Sequence, residues 1–162
     1  MSSQLIIGMP LEQADFVFLL PNLPIIPNED AVQQLGYVPA LIELNGNHWR
    51  KILTIMAKLT SAELKNWRPW RDEMLMTKVT MVFSSQWIES IDAKVFIVGN
   101  GFREQVVVPD EAQSFGERHR ALVADNRIWC PYLDYRQFPN VLVDELRLPI
   151  HNHSLESACF MC

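Results

Sequence analysis

Lysine and arginine are absent from residues 1–47, and glycine and cysteine are scarce throughout, with six and three in 162 residues. Three cysteines cannot build the disulfide framework of a small secreted domain, and they point to a reducing compartment. No positive charge precedes Leu5-Ile6-Ile7, so Met1–Met9 lacks the first region of a secretory signal. The longest apolar runs, such as Phe16-Val17-Phe18-Leu19-Leu20, fall far short of the roughly 20 residues that span a bilayer. Gly99 and Gly101 belong to no three-glycine dinucleotide fingerprint and precede no Walker lysine, so no phosphate loop is expected. Ser84-Ser85 has no Gly-x-Ser-x-Gly around it, which removes the nucleophile elbow of serine hydrolases. Cys159-Phe160-Met161-Cys162 matches a prenylation box poorly, with Cys last and Phe before Met. These absences leave a soluble, cytoplasmic protein with no membrane partner and no predicted cofactor.

What is present is the composition of an ordinary globular chain, 49% hydrophobic and 20% charged. The length suits one domain over 1–150, followed by a mobile tail over 151–162 that has no clear periodicity. The apolar runs at 14–20, 93–99 and 127–132 read as strands buried on both faces, with a further strand expected at 106–108. Asn28 or Asp30 is expected to cap a short helix through Leu35. Asn47 is expected to cap a helix over 48–59, on which Trp49, Ile52, Leu53, Met56 and Leu59 share a face. Thr60 and Glu63 form a capping-box pair. Pro69 suits the first position of a long central helix over about 70–89, whose Met74, Leu75, Val79, Val82, Phe83 and Trp87 make a wide apolar surface. Pro109-Asp110-Glu111 is a start signal for a helix to Ala124, and Pro139 opens another through Arg147, stopped by Pro149. Short apolar strands between helices imply a three-layer α/β domain with a small, mostly parallel sheet of three to four strands flanked by helices.

In such sheets ligands bind beyond the carboxyl ends of the strands. That rule selects Pro21-Asn22, the loop 100–104 and the loop 131–140. The last is the densest in polar and stacking groups. Asp134 is a candidate base and Arg136 a candidate grip for a phosphate or carboxylate, while Tyr132 and Tyr135 can stack a planar ligand. Asn22, Asn100, Arg103, Gln137 and Asn140 complete the candidate ligand set. The plainer account is a structured loop in which Asp134 pairs with Arg136. Cys130 reads as a small buried hydrophobe, with a nucleophile as the alternative. His48 and His119 have no sequence neighbour arranged as a nucleophile pair.

Charge is uneven. Residues 48–78 hold seven of the 14 basic residues against three acids, a net of +4 that leaves −9 on the rest of a −5 chain. Within that stretch Trp67, Arg68, Trp70 and Arg71 interleave indoles with guanidiniums, a combination that stacks bases and neutralises phosphates. The same residues equally suit a packed helix junction with snorkelling arginines. His151, His153, Cys159 and Cys162 are a sufficient tetrahedral zinc set, though in reversed order and without a knuckle glycine. Three functions follow as alternatives: a small-ligand enzyme or binding protein using loops 100–104 and 131–140; a nucleic-acid-associated domain using 67–71; and a non-catalytic interaction protein or homodimer built on the long helix or the proline-rich loop.

Overall fold

The computed structural model describes residues 5–27 and 36–151. The helix expected at 28–35 and most of the expected tail lie outside them. Seven strands form one mixed sheet: β1 (Ile6–Gly8), β2 (Phe16–Leu19), β3 (Val79–Val82), β4 (Lys94–Val98), β5 (Gln113–Phe115), β6 (Ala121–Ala124) and β7 (Arg127–Cys130). Their order is β1-β3-β2-β4-β7-β6-β5. The four central strands β3, β2, β4 and β7 are parallel, with Phe16 opposite Val79 and Lys94, and Ile97 opposite Trp129. The outer strands β1, β6 and β5 each pair antiparallel with their inner neighbour. The expectation of three or four mostly parallel strands is therefore corrected. The apolar runs that mark a strand buried on both faces exist only in the parallel centre. The outer strand β5, with Gln113 and Ser114 exposed, carries no such signal.

The described residues also hold four α-helices: α1 (Tyr37–Asn45), α2 (Asn47–Thr60), α3 (Trp67–Glu73) and α4 (Asn140–His151). All four pack on one face of the sheet, over Phe16, Phe18, Phe96, Val98 and Cys130. Phe18 and Phe96 stack there at 4.3 Å between ring centroids. The opposite face, Val17, Leu19, Val82, Val95, Ile97 and Trp129, is closed by the single-turn helix Ser85–Ile88 and by Phe102, Val106 and Val108 from a loop. The four α-helices thus cover one face rather than both, and the other has only 3-10 turns and loops among the described residues.

The long helix expected over 70–89 does not form. Helix α3 ends at Glu73, the 3-10 turn Met74–Met76 follows, and Val79–Val82 is a strand between β1 and β2. Val79, Thr80 and Val82 are β-branched and buried, and their backbone groups satisfy two neighbouring strands at once. Thr80 Oγ1 also donates to Met9 O at 2.6 Å. The helix expected from Pro109 to Ala124 is replaced by β5 and β6. Gly116 leaves β5 at φ +89°, where a Cβ would stand 2.1 Å from His119 O, so the chain turns instead of coiling. The strand expected at 106–108 is a loop held by Val106 N–H on Phe102 O. Pro149 does not stop α4. It lies in the last turn, where Lys94 Nζ donates to Pro149 O at 3.1 Å and to Ile150 O at 2.7 Å. Helix α2 matches its expected span within a residue at either end, with Gly46 rather than Asn47 preceding it.

His151, at the end of α4, is half-buried against Phe16 with its Nε2 2.9 Å from Leu59 O, so the ring nitrogen must donate. Burial is the main cause that lowers its pKa, reinforced by Arg147, Lys94 and Lys78, while the bond to Leu59 opposes it. The unfolded chain therefore takes up the proton first. The stability that neutral His151 contributes is complete above its ordinary pKa of 6.5 and lost as pH falls through the lower folded value. Urea unfolding as a function of pH is expected to lose stability below that point, and His151→Gln, which keeps a donor to Leu59, is expected to flatten that part of the profile.

Candidate functional site

Strand β2 is followed by β3 on one side, whereas β4 pairs on its other side, so the direction of winding reverses between β2 and β4. Beyond the carboxyl ends of these strands a crevice opens where the connecting loops diverge. In this protein it is a cleft of about 460 Å³ lined by Pro21 after β2, Gly99, Asn100, Gly101 and Arg103 after β4, and Pro131, Tyr132 and Gln137 after β7. Arg118, His119 and Arg120, from the connection between β5 and β6, close it.

Arg103, Arg118 and Arg120 bring three positive charges to this lining, which contains no Asp or Glu. None of them takes part in an ion pair among the described residues. Arg120 Nε donates to Glu117 O at 3.1 Å, and Arg103 Nε is shut off from solvent without an acceptor among the described residues. Burial pushes the thiol of neighbouring Cys130 far up, against the opposing charge of Arg103, so it is a buried hydrophobe and not a thiolate.

On the opposite wall, Tyr132 Oη lies 2.9 Å from Asn22 Oδ1 and 2.6 Å from His48 Nε2. Burial raises the phenol's pKa, so it holds its proton. With that proton donated to Asn22 Oδ1, His48 donates its Nε2–H to Oη. His48 is exposed. The contact joins the start of α2 to the ends of β2 and β7. Tyr132→Phe is expected to lower stability by about 1–2 kcal/mol, read as a fall in melting temperature, by removing both bonds at once.

The other residues of the 131–140 loop lie elsewhere. Asp134 Oδ1 accepts from Arg136 N–H at 3.0 Å, Asp134 O accepts from Gln137 and Phe138, and Oδ2 lies 3.9 Å from Lys51 Nζ. Asp134 therefore fastens its own turn, and Arg136 is exposed. Neither is among the residues that line the cleft. Tyr135 is exposed beside Lys51 and Lys58, and Asn140 Oδ1 accepts from Lys58 Nζ at 3.2 Å. Both line a separate, shallow depression along α2 and α4.

In the 67–71 segment, Trp70 Nε1 donates to Thr60 Oγ1 at 2.8 Å and Arg71 to Thr54 Oγ1 at 3.0 Å, which docks α3 on α2. Trp67 packs partly against the core, with Lys58, Arg68 and Arg71 over its ring at 5.2, 4.6 and 5.5 Å. Of the zinc set, only His151 is among the described residues, and there no group of three or more His, Cys, Asp or Glu is placed to hold a metal. No helix among them is long and apolar enough to cross a membrane.

Sequence reasoning missed Arg118, Arg120 and His48. The cue for the first two was Gly116, two residues before the Arg118-His119-Arg120 run, which marks a turn in what otherwise reads as a helix. His48 carried no local cue, since its partner Tyr132 is 84 residues away. Comparison with the curated proteins and with the solved structures finds no match. A model of a family of unknown function (DUF6942) matches residues 7–151, nearly all of the chain, and the protein belongs to that family.

Proposed function

We propose that the chain binds a small anionic ligand in the strand-end cleft between the 99–104 and 131–137 loops. The observation that carries this reading is the set of three arginines with no carboxylate among the lining residues of a net acidic chain. Like charges brought together without counter-charge repel one another, and an anionic ligand relieves that repulsion. Size alone does not select the cleft, because a depression of about 460 Å³ also lies at the opposite ends of the strands. That one is lined by Asp15, Asp92 and Lys94 and has no excess of positive charge. Asn100, Tyr132 and Gln137 supply neutral polar groups for the rest of the ligand.

Thermal-shift measurement with nucleotides, sugar phosphates, carboxylates and neutral sugars tests the reading. A ligand at about 100 times its Kd is expected to add about 2.7 kcal/mol, a rise of about 5–10 °C for a chain of this size. Arg103→Gln and Asn100→Ala are expected to diminish the rise. If no compound moves the melting temperature, or both variants respond like the parent, the cleft is not a binding site.

Nucleic acid is the second reading, favoured by partly exposed Trp67 beneath Lys58, Arg68 and Arg71 and by exposed Tyr135 beside Lys51 and the same Lys58. It requires salt-sensitive binding of a single-stranded oligonucleotide that Arg68→Ala with Arg71→Ala abolishes; no binding at low salt removes it.

A further inference from the structure

We infer that the group held at the arginine end of the cleft is a phosphoryl group, carried by a small phosphate monoester or diphosphate rather than by a carboxylate. This rests on the reading of the cleft as an anion site and adds the class of anion. Each guanidinium offers five N–H donors and one charge, so three of them present many donors and a total of +3 within one lining. A carboxylate, with two oxygens and one charge, leaves most of both unanswered. A phosphate monoester carries about −1.5 to −2 at neutral pH on three free oxygens, and its tetrahedral shape can accept from several directions at once. Arg103 Nε has no acceptor among the described residues, so the hydrogen bonding of this guanidinium is incomplete within the protein. The neutral groups of Asn100, Tyr132 and Gln137 in the same lining then face a polar organic part bearing hydroxyl or carbonyl groups.

Without ligand, removal of one arginine relieves repulsion, so Arg118→Gln is expected to keep or raise the melting temperature while weakening binding. Site residues that cost stability and serve a ligand behave in this way. Arg118 is exposed, so the variant folds on the same core.

Calorimetric titration of the full chain at fixed low ionic strength, with inorganic phosphate, pyrophosphate, acetate and malonate as probes, decides the matter. Malonate is the control for charge, being a dianion without phosphorus. The expected result is pyrophosphate tighter than phosphate, both at least tenfold tighter than malonate, and at least tenfold loss for pyrophosphate in Arg103→Gln and in Arg118→Gln. Malonate binding as tightly as phosphate, through the same arginines, overturns the phosphoryl assignment and leaves the anion site standing. No binding by any probe, or binding untouched by both variants, overturns both. A single-stranded oligonucleotide that displaces pyrophosphate with higher affinity overturns the small-molecule source, since the phosphoryl group would then belong to a polymer backbone.

Discussion

Trp129→Ala is expected to cost about 4 kcal/mol and to loosen one wall of the strand-end cleft. Trp129 is 2% exposed in β7, among Val17, Leu19, Val95 and Ile97 on the face opposite the four α-helices. Its Nε1 donates to Val106 O at 2.9 Å. That bond, with the packing of Phe102, Val106 and Val108, ties the loop between β4 and β5 to the sheet. Asn100, Gly101 and Arg103 lie in the same loop. Truncation leaves a large cavity and an unanswered carbonyl, and the loop loses its anchor. Trp129→Phe keeps most of the volume and should cost only about 1–2 kcal/mol, which separates the bond from the bulk. Urea unfolding gives the energies, and limited tryptic cleavage after Arg103 reads the loop. A loss below about 2 kcal/mol for Trp129→Ala, with unchanged cleavage, would show that the loop stands without it.

Arg147→Met is expected to cost about 3 kcal/mol, the loss of several charge-assisted bonds at one junction. From α4, Arg147 donates to Lys58 O and Ser61 O, both at 2.8 Å, and to Ala62 O at 3.2 Å. These carbonyls belong to the last turn of α2 and the residues just beyond it, where the helix has no N–H of its own to offer. Burial lowers the pKa of Arg147 from its ordinary value, and the guanidinium remains charged. Methionine keeps the stem that packs between the helices, so the substitution reports the bonds and not the contact area. The melting temperature should fall by roughly 6–12 °C. If Arg147→Met melts with the parent, water replaces the bonds and α4 is held on α2 by apolar packing alone.

The parts of the fold legible in the sequence are those whose pattern has a single physical solution. Phe16–Leu19, Lys94–Val98 and Arg127–Cys130 are short apolar runs bounded by turn residues, and only central parallel strands bury them on both sides. Helix α2 shows its apolar stripe at helical spacing. Val79–Phe83 has no such unique solution, because it continues the pattern of α3 without a glycine or proline between them. Tertiary pairing with β1 and β2 decided it. The Asp125-Asn126 turn, with Asp125 at φ 53°, was a hairpin signal between β6 and β7, masked by the helix-start residues at 109–111. The loops at the strand ends are legible from topology alone, which is why Asn100, Arg103, Tyr132 and Gln137 lie together in the cleft lining. Arg118 and Arg120 enter the cleft through the antiparallel extension of the sheet, which the sequence reading placed in a helix.

The most direct test is the position of an oxyanion bound to the crystalline protein. After a soak in tungstate, anomalous scattering should place tungsten in the cleft beyond β2, β4 and β7, within reach of Arg103, Arg118 and Arg120. An empty cleft, with tungsten bound instead beside Lys58 and Asn140 or nowhere on the chain, would contradict the account.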